Sequence, residues 1–263
     1  MSLDSSLAVR RAAVYAPPMI AGTTDTANTV DWDEDAIPRP DVSNLITEDD
    51  TPVDNQFSEK QMRLLTESIH ASWRPGFPFV AMANVGVYVA LNRPAIVPDV
   101  LVTTHVEPLQ DLMNKEHKAY FSWIFDGKVP DVVIEIVSNT KGGELDHKLR
   151  NYQQMGVTWY AVFDPMHYLS EQTLTCFTLA GGKYRPHTEP AFGELGLGLL
   201  VWEGEYEGVS SGWLRWSDRD GSMLKTGQER ATAEAGRAAA EAKRAAALAA
   251  KLRELGVDPD SIA

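Results

Sequence analysis

Cysteine is nearly absent from this chain: Cys176 is the only one in 263 residues. That excludes an internal disulfide framework and suits a reducing compartment. No apolar run approaches the roughly 18 residues a membrane span needs, and no basic-then-apolar segment opens the chain. Neither CxxC nor HExxH occurs, which argues against a zinc centre. Neither GxGxxG nor a Walker-type loop occurs, and the pair Gly142-Gly143 lacks the flanks of a phosphate cradle. No repeat is long enough for a solenoid. Together these absences predict a soluble, cytoplasmic protein.

Basic residues are also in short supply, 24 against 37 acidic ones, for a net charge of −13. Phosphate binding draws most of its affinity from Lys and Arg, so this balance weighs against tight, non-specific nucleic-acid binding. The deficit is uneven, however. Residues 1–57 hold 3 basic and 11 acidic side chains, residues 58–180 hold 10 and 13, and residues 181–263 hold 11 and 13. Segment 1–57, with Pro17, Pro18, Pro38, Pro40 and Pro52 among acidic and small polar residues, cannot bury enough apolar surface to offset its ordering entropy. It is expected to be a loosely docked or disordered arm, leaving a near-neutral domain over 58–226 and a separate segment over 227–263.

What is present is best read outward from KVPDVVIEIVSNTKGGELDHKLRNYQQMGVTWYAVFDP, residues 128–165. The run Val132 to Val137 is aliphatic apart from one carboxylate and predicts a strand buried on both faces. Glu135 sits inside it. A buried, ionised carboxylate costs several kcal/mol unless it is paired, hydrogen-bonded or bound to a metal, so Glu135 requires a partner. A turn-rich loop follows, then a helix over 144–155 with Leu145, Leu149 and Tyr152 as its core stripe. Glu144, Lys148 and Asn151 form a second stripe, aimed where the strand ends. Gly156 closes the helix and VTWYAVFD forms the next buried strand. Upstream, Asp99 heads another apolar run, Val100-Leu101-Val102. Two acids on two strands and a lysine on the following helix make a constellation.

Three segments carry a resemblance: PDVLV at 98–102; PDVVIEIVS at 130–138 with the following Thr140, Gly142-Gly143-Glu144, Lys148 and Tyr152; and GV with YAVFDP at 156–165. From about Glu59 onward the chain resembles the Uma-two family of restriction-endonuclease-like proteins, within the PD-(D/E)XK nuclease superfamily. The motifs are specific as a set and weak singly. The resemblance implies a mixed α/β restriction-endonuclease-like core with flanking helices, extra β-hairpins and a long C-terminal helix. It implies Asp99 and Glu135 as metal ligands. The superfamily lysine expected two residues after Glu135 is replaced by Val137, and relatives resemble this chain in supplying it from the next helix, as Lys148. Glu144 stands where relatives often have Asp.

On these residues the expected chemistry is hydrolysis of DNA phosphodiesters by water activated on Mg²⁺, with Mn²⁺ as a substitute. Asp99, Glu135 and the backbone carbonyl of Ile136 would ligate the ion. Lys148 would stabilise the transition-state charge or orient water, and Glu144 would position Lys148 or join the ion through water. Blander roles stand beside these. Asp99 suits a turn after Pro98, and Glu144 with Lys148 is also an ordinary i,i+4 ion pair. Asp146 with Arg150 reads as a surface pair, and Asp131 as a solvated strand start. An alternative function is an inactive nuclease-like interaction module assembling through its C-terminal helix.

The remaining chain predicts supporting elements. SEKQMRLLTESIHASW gives a first helix capped by Ser58, with Met62, Leu65, Ile69 and Trp73 inward, and with Glu59 and Glu67 on a solvated face or facing the site. Phe79 to Leu91 gives one or two strands bent at Gly86, and AYFSWIF an aromatic strand ending in a DG turn. LTCFTL and KYRPH form a hairpin through Gly181-Gly182. GLGLLVWEGEYEG and GWLRWSDRDGSML follow as short strands, the second carrying a DG turn. Trp202, Trp213 and Trp216 are expected to cover a sheet edge, in preference to a base-stacking platform, because no basic cluster accompanies them. Gly227 to Leu255 predicts one helix of about 28 residues. It reads as solvated or, through Leu248, Leu252 and Leu255, as a coiled coil joining a homodimer.

Overall fold

The computed structural model describes residues 40–47, 55–139 and 143–259. Most of the predicted arm, and the tip of the loop after Ser138, lie outside these. The described piece of the arm packs down. Val42 is buried with Tyr88, Ala119 and Phe121, and the Tyr88 hydroxyl donates to the Ile46 carbonyl.

The first helix, α1, spans Gln56–Ser72. Its cap is Asn55, whose side-chain oxygen accepts from the Ser58 amide at 2.9 Å; the expected cap, Ser58, is buried inside the first turn. The helix starts earlier because Phe57 extends its apolar stripe, stacking on Trp213 at 5.1 Å and on Phe163 at 6.4 Å. Asn caps as well as Ser does.

Strands β1 (Phe79–Ala83), β2 (Val87–Tyr88), β3 (Val100–Thr104), β4 (Tyr120–Phe121) and β5 (Val132–Ile136) precede α2 (His147–Met155). Then come β6 (Trp159–Phe163), β7 (Leu174–Ala180), β8 (Lys183–His187), β9 (Leu197–Tyr206), β10 (Val209–Asp218) and α3 (Gly227–Glu254). The main sheet runs β1-β3-β5-β6-β7-β8. Only β5 and β6, joined through α2, are parallel within it.

Both faces of this sheet are covered, which is why its central strands read as unbroken apolar runs. Val132, Ile134, Ile136, Val100 and Val102 face α1 and the β9–β10 hairpin. Val133, Val137, Leu101, Tyr160 and Val162 face the other way, onto Tyr152 of α2. Alternation therefore assigns Glu135 to the α2 side.

Two expectations about the periphery are corrected. The aromatic strand after Ala119 is only Tyr120–Phe121, and the chain then enters a 3-10 turn over Ser122–Phe125 that ends at left-handed Asp126. Two of the three tryptophans do not guard an edge. Trp213 and Trp216 are fully buried, and the Trp216 indole N–H donates to the Leu65 carbonyl at 2.9 Å. Their strand is half of a long hairpin turning at Glu207-Gly208, with φ of 48° and 76°, which lays a second layer over α1. The Asp220-Gly221 turn leads only to a bridge between Ser217 and Met223.

Helix α3 has its expected length and opens with a capping box between Thr226 and Glu229. Its anchor was not legible in the sequence. Arg215 of β10 is fully buried, donates to both Glu229 oxygens at 3.1 and 2.7 Å, and lies over the Trp202 ring. Beyond its first turns α3 is largely exposed, with Leu248 at 61% and Leu255, just past its end, at 69%.

Candidate active site

The site forms where β5 ends beside the start of β3. Antiparallel pairing sets Val100 against Ile134, so Asp99, one residue before β3, comes level with the end of β5. One of its oxygens accepts from the Ile136 amide at 2.6 Å. The Ile136 side chain belongs to the α1-side core, so only its backbone belongs to the site.

Glu135 is fully buried. Its Oε2 accepts from Lys148 Nζ at 2.8 Å and its Oε1 from the Tyr152 hydroxyl at 2.6 Å. Lys148 and Tyr152 are one turn apart on α2, so a single helix grips both oxygens. Burial first, and the neighbouring Asp99 charge second, push the Glu135 carboxyl up to about 8 against the opposing pull of Lys148 and Tyr152. Burial alone would lower Lys148, yet Glu135, Asp99 and Glu144 outweigh it and hold the ammonium above its usual range.

Glu144 precedes α2 and is buried. Its Oε1 lies 3.5 Å from Lys148 Nζ, while its Oε2 is buried and has no hydrogen-bond partner among the described residues. The turn that carries it is pinned by the Tyr160 hydroxyl, which donates to the Glu144 carbonyl at 2.7 Å. Gly156, at φ 92°, ends α2 as a left-handed cap and turns the chain into β6.

Asp99, Glu135, the Ile136 backbone, Glu144 and Lys148 therefore converge. Glu59 and Glu67 do not. Glu59 pairs with Arg63, and Glu67 accepts from the Gly227 amide at 3.1 Å, at the start of α3. Asp131, partly exposed, is more than a solvated strand start: its Oδ2 accepts from the Thr104 amide at 2.7 Å and hydroxyl at 2.8 Å, closing the far end of the strand pair. Asp146 and Arg150 form the expected exposed pair at 2.7 Å. The sequence places Tyr152 on the core stripe and in the family motif but gives it no role in the site. Its signal was the phenol itself, since a buried Tyr hydroxyl needs a partner and Lys148 lies four residues before it.

The donor set suits a hard divalent cation. Three carboxylates face one ammonium, and a buried oxygen of Glu144 has no donor among the described residues. Among the described residues, no three His, Cys, Asp or Glu side chains form a ready-made ligand cluster. Such an arrangement fits an ion held by one or two carboxylates that keeps several waters, better than an all-protein cage.

Residues 46–201 match the model of the Uma2 family, described as "Putative restriction endonuclease". Among solved structures, the chain is similar to a crystal structure titled as a putative nuclease belonging to DUF820 from Anabaena variabilis. The identity is 15% and the TM-score 0.38, over 53% of this chain and 71% of that one. No curated protein matches the chain.

Proposed function

The chain belongs to the Uma2 family of restriction-endonuclease-like proteins, and from that premise we propose that it is a divalent-metal-dependent endonuclease hydrolysing DNA phosphodiester bonds. The observation that carries this assignment is Glu135: a fully buried carboxylate, beside a second acid and gripped by a lysine, in a strand where an apolar residue would cost less. Asp99, Glu135 and the Ile136 carbonyl would hold the ion, Mg²⁺ with Mn²⁺ as a substitute. When bound, such an ion neutralises charge developing on the phosphate and lowers the pKa of a bound water.

The protein's own side chains supply the rest. Lys148 keeps its charge because three carboxylates surround it, and places that charge next to Glu135, where the phosphate would approach. Glu144 limits the swing of Lys148 from the other side. With Val137 buried at the position where the superfamily motif carries its lysine, an ammonium reaching in from α2 replaces one reaching along the strand.

An inactive interaction module is the second candidate function. It draws support from Val137, from the acidic net charge of −13, and from α3, whose exposed leucines suit a second copy of the chain.

Plasmid and oligonucleotide cleavage in Mg²⁺ and Mn²⁺, with and without a chelator, separates the two. Metal-dependent cutting supports the nuclease. Cutting that survives chelation overturns the metal site, and no cutting favours the interaction module.

A further inference from the structure

We propose that Tyr152 is a positioning residue for the candidate metal site, its hydroxyl fixing the rotation of the Glu135 carboxylate so that the oxygen beside Lys148 stays presented to a divalent cation. This inference rests on the nuclease assignment and concerns one hydroxyl within it.

Glu has three rotatable side-chain bonds, and a carboxylate held by one donor can turn about the last of them. Two donors on opposite oxygens remove that freedom. Here Lys148 Nζ sits 2.8 Å from Oε2 and the Tyr152 hydroxyl 2.6 Å from Oε1. Lys148 is partly exposed, whereas Tyr152 is fully buried, so the tyrosine is the fixed end of the clamp. Buried outer partners of this kind orient metal ligands and raise affinity without touching the ion.

Tyr152 is itself immobilised at three levels. Its backbone carbonyl accepts from the Gly156 and Val157 amides, both at 3.1 Å, which ties it to the helix cap. Its ring packs on Tyr160 at 5.2 Å, and Tyr160 in turn packs on Tyr184 at 5.8 Å and Phe177 at 6.0 Å. The Tyr184 hydroxyl closes the stack by donating to the Val157 carbonyl at 2.9 Å. Backbone and ring are thus held independently of Glu135, which places the hydroxyl where it meets Oε1.

The test is calorimetric Mn²⁺ titration of the full chain as wild type, Tyr152→Phe and Tyr184→Phe, with melting curves for all three. Tyr152→Phe keeps the ring contact with Tyr160 and removes only the donor. It is expected to weaken Mn²⁺ binding by about 10-fold or more, while Tyr184→Phe stays within about 2-fold of wild type. A purely structural tyrosine would lower the melting temperature and leave Mn²⁺ affinity in place; that result overturns the inference. So does equal weakening by both variants, which would report damage to the stack. Wild type that binds no Mn²⁺ overturns the metal site itself, and the inference with it.

Discussion

Lys148 on α2 and Glu135 on β5 meet at 2.8 Å, thirteen residues apart in sequence, across the βαβ crossover. The pair places a held cation against a buried acid, two residues before the buried Val137.

That geometry separates binding from cleavage. Lys148→Met is expected to lower cleavage by about 100-fold or more, because transition-state charge loses its stabiliser. Mn²⁺ affinity should hold or rise, since the competing cation is gone. Stability should drop by about 1–3 kcal/mol, less than for a wholly buried pair because Lys148 is part exposed. Calorimetry and cleavage rates on one preparation check this; parallel loss of both contradicts it.

The Glu135 carboxyl, pushed up to about 8, gives a pH dependence of defined sign. A metal ligand must shed its proton, so Mn²⁺ affinity should climb by up to about tenfold per unit from about pH 6 and flatten above about pH 8. Linkage gives the opposite sign for the metal-free fold. A carboxyl raised above its unfolded value of 4.5 contributes stability that is present below that value and lost as pH rises through about 8. Melting temperature without metal should fall over that window, and added Mn²⁺ should offset the fall. A flat affinity profile would contradict the assignment.

Glu229 holds a buried guanidinium and the start of α3 together. Glu229→Ala leaves Arg215 without its ion pair and should cost about 2 kcal/mol, more than Arg215→Met, which removes the charge as well. Mn²⁺ affinity should be unchanged in both. Thermal melts check the order of the two variants; the reverse order contradicts the anchor.

Much of the site was legible because its signals are local. A carboxylate inside an aliphatic strand, an acid heading a second run, and Glu144 with Lys148 at helical spacing all lie within short windows. Tyr152 escaped because a tyrosine on a core stripe reads as packing until its hydroxyl is traced to Glu135. The Arg215–Glu229 anchor escaped for a related reason: nothing near Arg215 marks it as buried until the β9–β10 hairpin folds over α1. The same hairpin buries Trp213 and Trp216, and its turn at Glu207-Gly208 carries no strong turn signal, unlike the Asp220-Gly221 turn read from the sequence. Helix α3 was legible at full length because its composition alone determines it.

The most direct measurement is plasmid cleavage in Mg²⁺ by wild type and Glu135→Ala, purified identically. The account predicts nicking or linearisation by wild type, abolished by chelation, and a loss of about 100-fold or more in the variant, whose ion loses a ligand. Equal cleavage by both proteins, or none by wild type, would contradict it.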